Sequence, residues 1–163
     1  MTKIISNLPN FDEDKLAKIF QNCCVVISDD KPEKYEAESI IEAIKLEWKR
    51  RSTLSASSRT RPNIGMLGFL GYKVGQEGET KKKRQFILNY VVNEQLPFVQ
   101  SPMYIKEWGD PKSKKRYLKT YNVIKNFIDK YTNYKQSGFE KALIEWSEDI
   151  QYLKMLYRKQ FKE

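Results

Sequence analysis

Over its last third this sequence repeats bulky apolar side chains every three or four positions: Tyr117, Tyr121, Ile124, Ile128 and Tyr131, then Phe139, Leu143, Trp146, Ile150, Leu153, Leu156 and Tyr157. An α-helix turns about 100° per residue, so this spacing gathers the apolar groups on one face of a helix. Two helices are predicted, Pro111 to about Tyr134 and Phe139 to about Phe161, with Gln136, Ser137 and Gly138 leaving room for little more than a turn. So short a link makes neighbours run back along each other, and the expectation is an antiparallel helical hairpin that acts as a spine.

The same period organises what precedes it. Asn10 and Glu13 have capping-box spacing ahead of Leu16, Ile19, Phe20 and Cys23. Asp29 or Asp30 with Pro32 starts a helix to about Arg51 that buries Ile40, Ile41, Ile44 and Trp48, and its closing Lys49, Arg50 and Arg51 match the helix dipole. Thr80 caps a helix to about Val92 that faces Phe86, Ile87, Tyr90 and Val91 inward. Ser101 with Pro102 opens a short turn to Trp108, Gly109 stops it, and Asp110 with Pro111 begins the next helix. Residues 1–9 look loosely held. The run Cys24–Ile27 reads as a buried strand or as a helix end; without a second strand nearby to pair with, a helix end or extended link is favoured. Length points to one core, because domains of about 150 residues bury roughly 68–70% of their unfolded surface. The expected fold is all-α, a single helical domain over residues 1–163 with about six helices, in which residues 52–63 form a flexible basic loop.

Composition removes several chemistries. There is no histidine, so His-containing zinc sites and His-based acid/base or nucleophile activation are excluded. The two cysteines, Cys23 and Cys24, are adjacent, poorly placed to bridge each other and too few for an all-thiolate zinc site. A reducing cytoplasmic setting fits them. No apolar run has the length of a secretory signal or a membrane span, and no cofactor is implied. One fragment, Glu107, Asp110 and Lys112, superficially offers the carboxylates and lysine of a magnesium-dependent nuclease. Asp110 is needed as a helix cap, however, so catalysis is the less favoured reading.

Charge is the stronger signal. Lys and Arg total 30 against 21 Asp and Glu, and the excess is concentrated: residues 1–48 carry −4, residues 49–84 carry +8, residues 85–136 carry +5, and the remainder is neutral. Such a field favours polyanions, nucleic acid before an acidic protein or an anionic surface. Two clusters sit where a helix dipole disfavours cations: Lys81, Lys82, Lys83 and Arg84 at the mouth of one helix, and a ridge of Lys112, Lys115, Arg116 and Lys119 near the start of another. Each cation in a first turn is disfavoured by roughly 0.3–1 kcal/mol unless an anion compensates. A phosphate backbone is the expected anion, with Arg59 and Arg61 of the 52–63 loop helping to close over it.

Gly65, Gly68, Gly71, Gly75 and Gly78 follow one another at near-helical spacing among Met66, Leu67, Phe69, Leu70 and Tyr72. The first three read either as a smooth face for close helix packing or as part of a cradle whose backbone N–H groups meet phosphate, while Gly75 and Gly78, around Gln76 and Glu77, read as a turn; the string matches neither a P-loop nor a dinucleotide fingerprint. Tyr72, Tyr104, Trp108 and Tyr134 are aromatics with no clear place in a core, available for base stacking or for packing.

The segments LGYKVG (70–75), RQFIL (84–88) and LPFVQSPMYIKEWGDPKSKKR (96–116) resemble small uncharacterised bacterial proteins associated with mobile elements and phage defence. The resemblance covers about the second half of the chain. It implies a bacterial or phage protein working near nucleic acid, and it transfers no activity and no functional residue. The expectation is therefore a non-catalytic nucleic-acid-binding protein, DNA favoured, that contacts phosphates. The competing expectation is an adaptor or inhibitor that docks on an acidic or nucleic-acid-processing protein through the glycine segment and Trp108.

Overall fold

The structure, a computed structural model, describes residues 2–52, 65–97, 106–133 and 138–161. Among these every regular element is helical: α1 (Thr2–Asn7), a 3-10 turn (Leu8–Asn10), α2 (Glu13–Ser28), α3 (Lys34–Ser52), α4 (Met66–Phe69), α5 (Lys81–Asn93), α6 (Lys114–Asn133) and α7 (Glu140–Gln160). A further helical turn occupies residues 106–108. The count exceeds six because α1 and α4 are too short to show a period. The chain groups into two compact units, one formed from Met1–Gly71 with Glu94–Lys106 and the other from Tyr72–Asn93 with Glu107–Glu163.

In the first unit α2 and α3 pack through Phe20 and Trp48, whose ring centroids lie 5.6 Å apart, over fully buried Leu16, Cys24 and Ile44. The cap of α2 is Asp12, whose Oδ1 accepts from Lys15 N at 2.7 Å, and not Asn10, which belongs to the preceding 3-10 turn. Cys24–Ile27 is helical: α2 continues to Ser28, since burial of Cys24 outweighs the weak helix preference of Val25, Val26 and Ile27. Residues 2–9 are held rather than loose. Leu8 is 2% exposed, and Arg51 donates to the carbonyls of Leu8 and Phe11 while pairing with Glu13 and Glu47.

In the second unit α6 lies along α7 through an aromatic ladder. Tyr117 stacks on Tyr157 with centroids at 4.4 Å, Phe127 on Trp146 at 5.5 Å, and Tyr131 on Phe139 at 4.4 Å. Rings near the start of α6 thus meet rings near the end of α7, and the reverse. Helix α5 closes this unit with Ile87, Leu88 and Val91, which have no exposed surface. Thr80 caps α5 as its sequence implies, Oγ1 accepting from Lys83 N at 3.3 Å. For α6 the corresponding acceptor is Ser113 Oγ, 3.1 Å from Arg116 N, and not Asp110, which is three residues too early to cap the first turn. Two of the uncertain aromatics are core: Trp108 is 1% exposed and Tyr72 7%. Tyr104 and Tyr134 lie outside the described residues.

Candidate nucleic-acid interface

The mouth of α5 already has its anion, and the anion is the protein's own. Arg84 is buried and donates through Nε to Asp149 Oδ2 at 2.8 Å; its Nη1 lies 3.2 Å from Glu145 Oε1 and its Nη2 3.4 Å from Glu148 Oε2. Lys81 pairs with Glu148 at 3.2 Å, and buried Lys83 pairs with Glu79 at 2.8 Å. Lys81, Lys83 and Arg84 are therefore compensated by carboxylates from α7 and from the residues before α5. Tyr72 completes it, its hydroxyl donating to Asp149 Oδ2 at 2.7 Å. Burial raises the Asp149 carboxyl above its usual range despite the hydrogen bonds from Arg84 and Tyr72 that oppose the shift. Burial and Asp149 likewise push the Tyr72 phenol far up, so it stays a donor.

The glycine segment meets the same fate. Gly75 adopts φ +90° and its N–H donates to Glu145 Oε2 at 2.7 Å, so that backbone donor is used inside the fold. Upstream, Gly71 also has φ +90°, and a Cβ there stands 2.8 Å from Gln21 Cγ; Gln21 Nε2 donates to the Phe69 carbonyl at 2.9 Å. Close packing is what this glycine serves.

The ridge on α6 divides in two. Arg116 is 2% exposed and turned inward, donating from Nε to the carbonyls of Trp108 and Gly109 and from Nη1 to that of Val91 at 3.0 Å. Burial lowers its guanidinium to about 10, still charged at neutral pH. It sits against the last turn of α5, where a cation is favoured, and Lys112 N donates to Val92 O at 2.9 Å beside it. Lys112 and Lys115 are exposed, whereas Lys119 is half-exposed, 3.5 Å from Glu107 Oε2 and 6.0 Å above the Trp108 ring. The Lys112–Val92 bond also places the ridge at the far end of α5 from Lys81 and Arg84, roughly 17 Å along a helix that rises 1.5 Å per residue. The two clusters form no single patch.

Of the ten residues singled out from sequence, Lys83, Arg84 and Arg116 are therefore corrected: their side chains are interior and reach no phosphate. Lys81, Lys82, Lys112, Lys115 and Lys119 remain at the surface, and Arg59 and Arg61 lie outside the described residues. A helical wheel carried the warning. Arg116 stands about 100° from Lys115 and shares its line with Thr120 and Ile124, both without exposed surface. Arg84 shares its line with Ile87, Leu88 and Val91. Sequence reasoning set Lys114 apart from the ridge and passed over Lys125 and Lys130; all three are exposed on α6, whose one acid is Asp129.

Glu107 is engaged by Lys119, and among the described residues no three Asp, Glu or Cys side chains are placed to hold a metal ion. Burial and the nearby Glu36 push the Cys23 thiol up to about 11, the opposite of an activated nucleophile. Among the described residues no helix is long and apolar enough to cross a membrane. Comparison with protein families, with curated proteins and with solved structures finds no match.

Proposed function

We propose that this chain is a non-catalytic nucleic-acid-binding protein that holds the phosphate backbone, preferably of DNA, on the outer surface of α6. The observation that carries this reading is the charge of that surface: Lys114, Lys115, Lys119, Lys125 and Lys130, preceded by Lys112, against Asp129 on the helix and Glu107 beside Lys119. Lysines that face water in such excess attract a polyanion and gain affinity by releasing its counterions. Lys81 and Lys82 add a second, smaller contact, and Arg59 and Arg61 belong to the proposal as loop contacts. In this reading the chain acts as one cytoplasmic domain, α6 and α7 form its antiparallel hairpin, and the setting in bacterial mobile elements or phage defence rests on resemblance alone.

A gel-shift titration with a 20-base-pair duplex at 50 and 200 mM salt tests it. With three or four phosphates neutralised, affinity falls on the order of 10²-fold between the two salts. Lys115→Glu with Lys119→Glu weakens binding at low salt and flattens the salt dependence. The competing reading, docking on an acidic or nucleic-acid-processing protein, loses Trp108 as an anchor because that ring is 1% exposed. Its signature is no shift at either salt together with a stable protein partner on purification.

A further inference from the structure

Resting on that reading, the exposed face of α6 carries more than charge. At about 100° per residue, Asn122 and Asn126 fall within roughly 20° of the Lys115 direction and mark the midline of the face turned to solvent. Both are exposed. Lys119 and Lys130 lie on one flank of that midline, and Lys114 and Lys125 on the other, beyond the exposed Leu118 and Asp129. A polar pair that donates and accepts thus runs down the centre with cations on both sides. Phosphate binding alone needs no such order, whereas a groove does: its floor is base edges and its two walls are phosphate.

We propose that α6 enters the major groove of duplex DNA, with Asn122 and Asn126 hydrogen-bonding adenine edges on the floor and the flanking lysines reaching the two phosphate walls. Helix diameter with side chains is about 10–12 Å and the groove about 12 Å wide, so one helix fills it. An asparagine amide matches the acceptor and donor that adenine presents at N7 and N6. Residues four apart are separated by about 6 Å along a helix, and bases by about 3.4 Å, so the two asparagines address adenines roughly two base pairs apart. The α7 face of α6 is closed to DNA by Tyr117, Ile124 and the ring stack, which leaves this face as the one presented.

The test is selection of the full chain on a randomised 20-base-pair duplex pool, followed by titration of the enriched and unselected duplexes. Enrichment of a motif with two adenines at that spacing is expected. Asn122→Ala and Asn126→Ala, at exposed positions, then each lower the enriched-to-unselected affinity ratio by about 5- to 150-fold while affinity for the unselected pool and its salt slope stay as in the parent. Salt-dependent binding without enrichment, or a ratio untouched by both substitutions, overturns groove reading and leaves phosphate contact standing. Binding to single strands only overturns groove reading as well. Loss of all nucleic-acid binding overturns both.

Discussion

Arginine and lysine part company in this protein. Arg51, Arg84 and Arg116 are used as internal staples, each holding several acceptors with its planar fork, while the lysines of α6 keep their ammonium groups at or near the surface. A buried charge depends on its partners, so Asp149→Ala, which takes the one fully buried carboxylate from Arg84 and leaves it Glu145 and Glu148, costs about 3 kcal/mol by urea unfolding. Replacing both, Arg84→Met with Asp149→Leu, recovers most of that loss, because the desolvation of two ions disappears together. The acids also set an acid limb. Glu47, hydrogen-bonded first by Arg50 and then by Arg51, has its carboxyl held below its ordinary 4.5. A carboxyl lowered in the folded state binds fewer protons than in the unfolded one, so its stabilisation is full above pH 4.5 and is lost as pH falls through the folded value. Asp149, raised by burial, has the opposite sign: its contribution declines as pH climbs through its own folded value. Urea midpoints of Glu47→Gln against pH therefore lose part of the acid-side decline seen in the parent.

Among the elements, the long helices were legible and the glycine segment was not. The periods in α2, α3, α6 and α7 locate their buried faces because one stripe of apolar side chains must be hidden, whatever hides it. Gly65, Gly68 and Gly71 have equal spacing but unequal roles. Gly65 has open space where a Cβ would stand and an ordinary φ of −66°, while Gly71 has φ +90° and Gln21 directly against it. Gly71→Ala is therefore expected to cost about 1–3 kcal/mol in urea unfolding. Gly65→Ala stays within about 1 kcal/mol. Spacing shows that a glycine recurs; only the neighbour and the dihedral angle show why. The caps make the same point, since Asp12 and Ser113 replace Asn10 and Asp110 once the turns before each helix are in place.

At the scale of the molecule, the excess of positive charge read from the sequence does not become one patch. Lys81 and Lys82 lie at the opposite end of α5 from Lys112, and Lys81 already has Glu148 beside it. Lys82→Glu is therefore expected to weaken duplex binding less than Lys115→Glu, a ranking that anisotropy titrations at 50 mM salt resolve. By itself the sequence determined an all-helical chain, the buried faces of its long helices and a basic middle, because periodicity and composition are local quantities. Helical position hinted at which cations turn inward, and tertiary structure decided it by supplying their partners. Arg84 and Arg116 were drawn inside by acceptors distant in the chain, Asp149 and the Val91 carbonyl, and a charge stays buried only where such acceptors offset its desolvation.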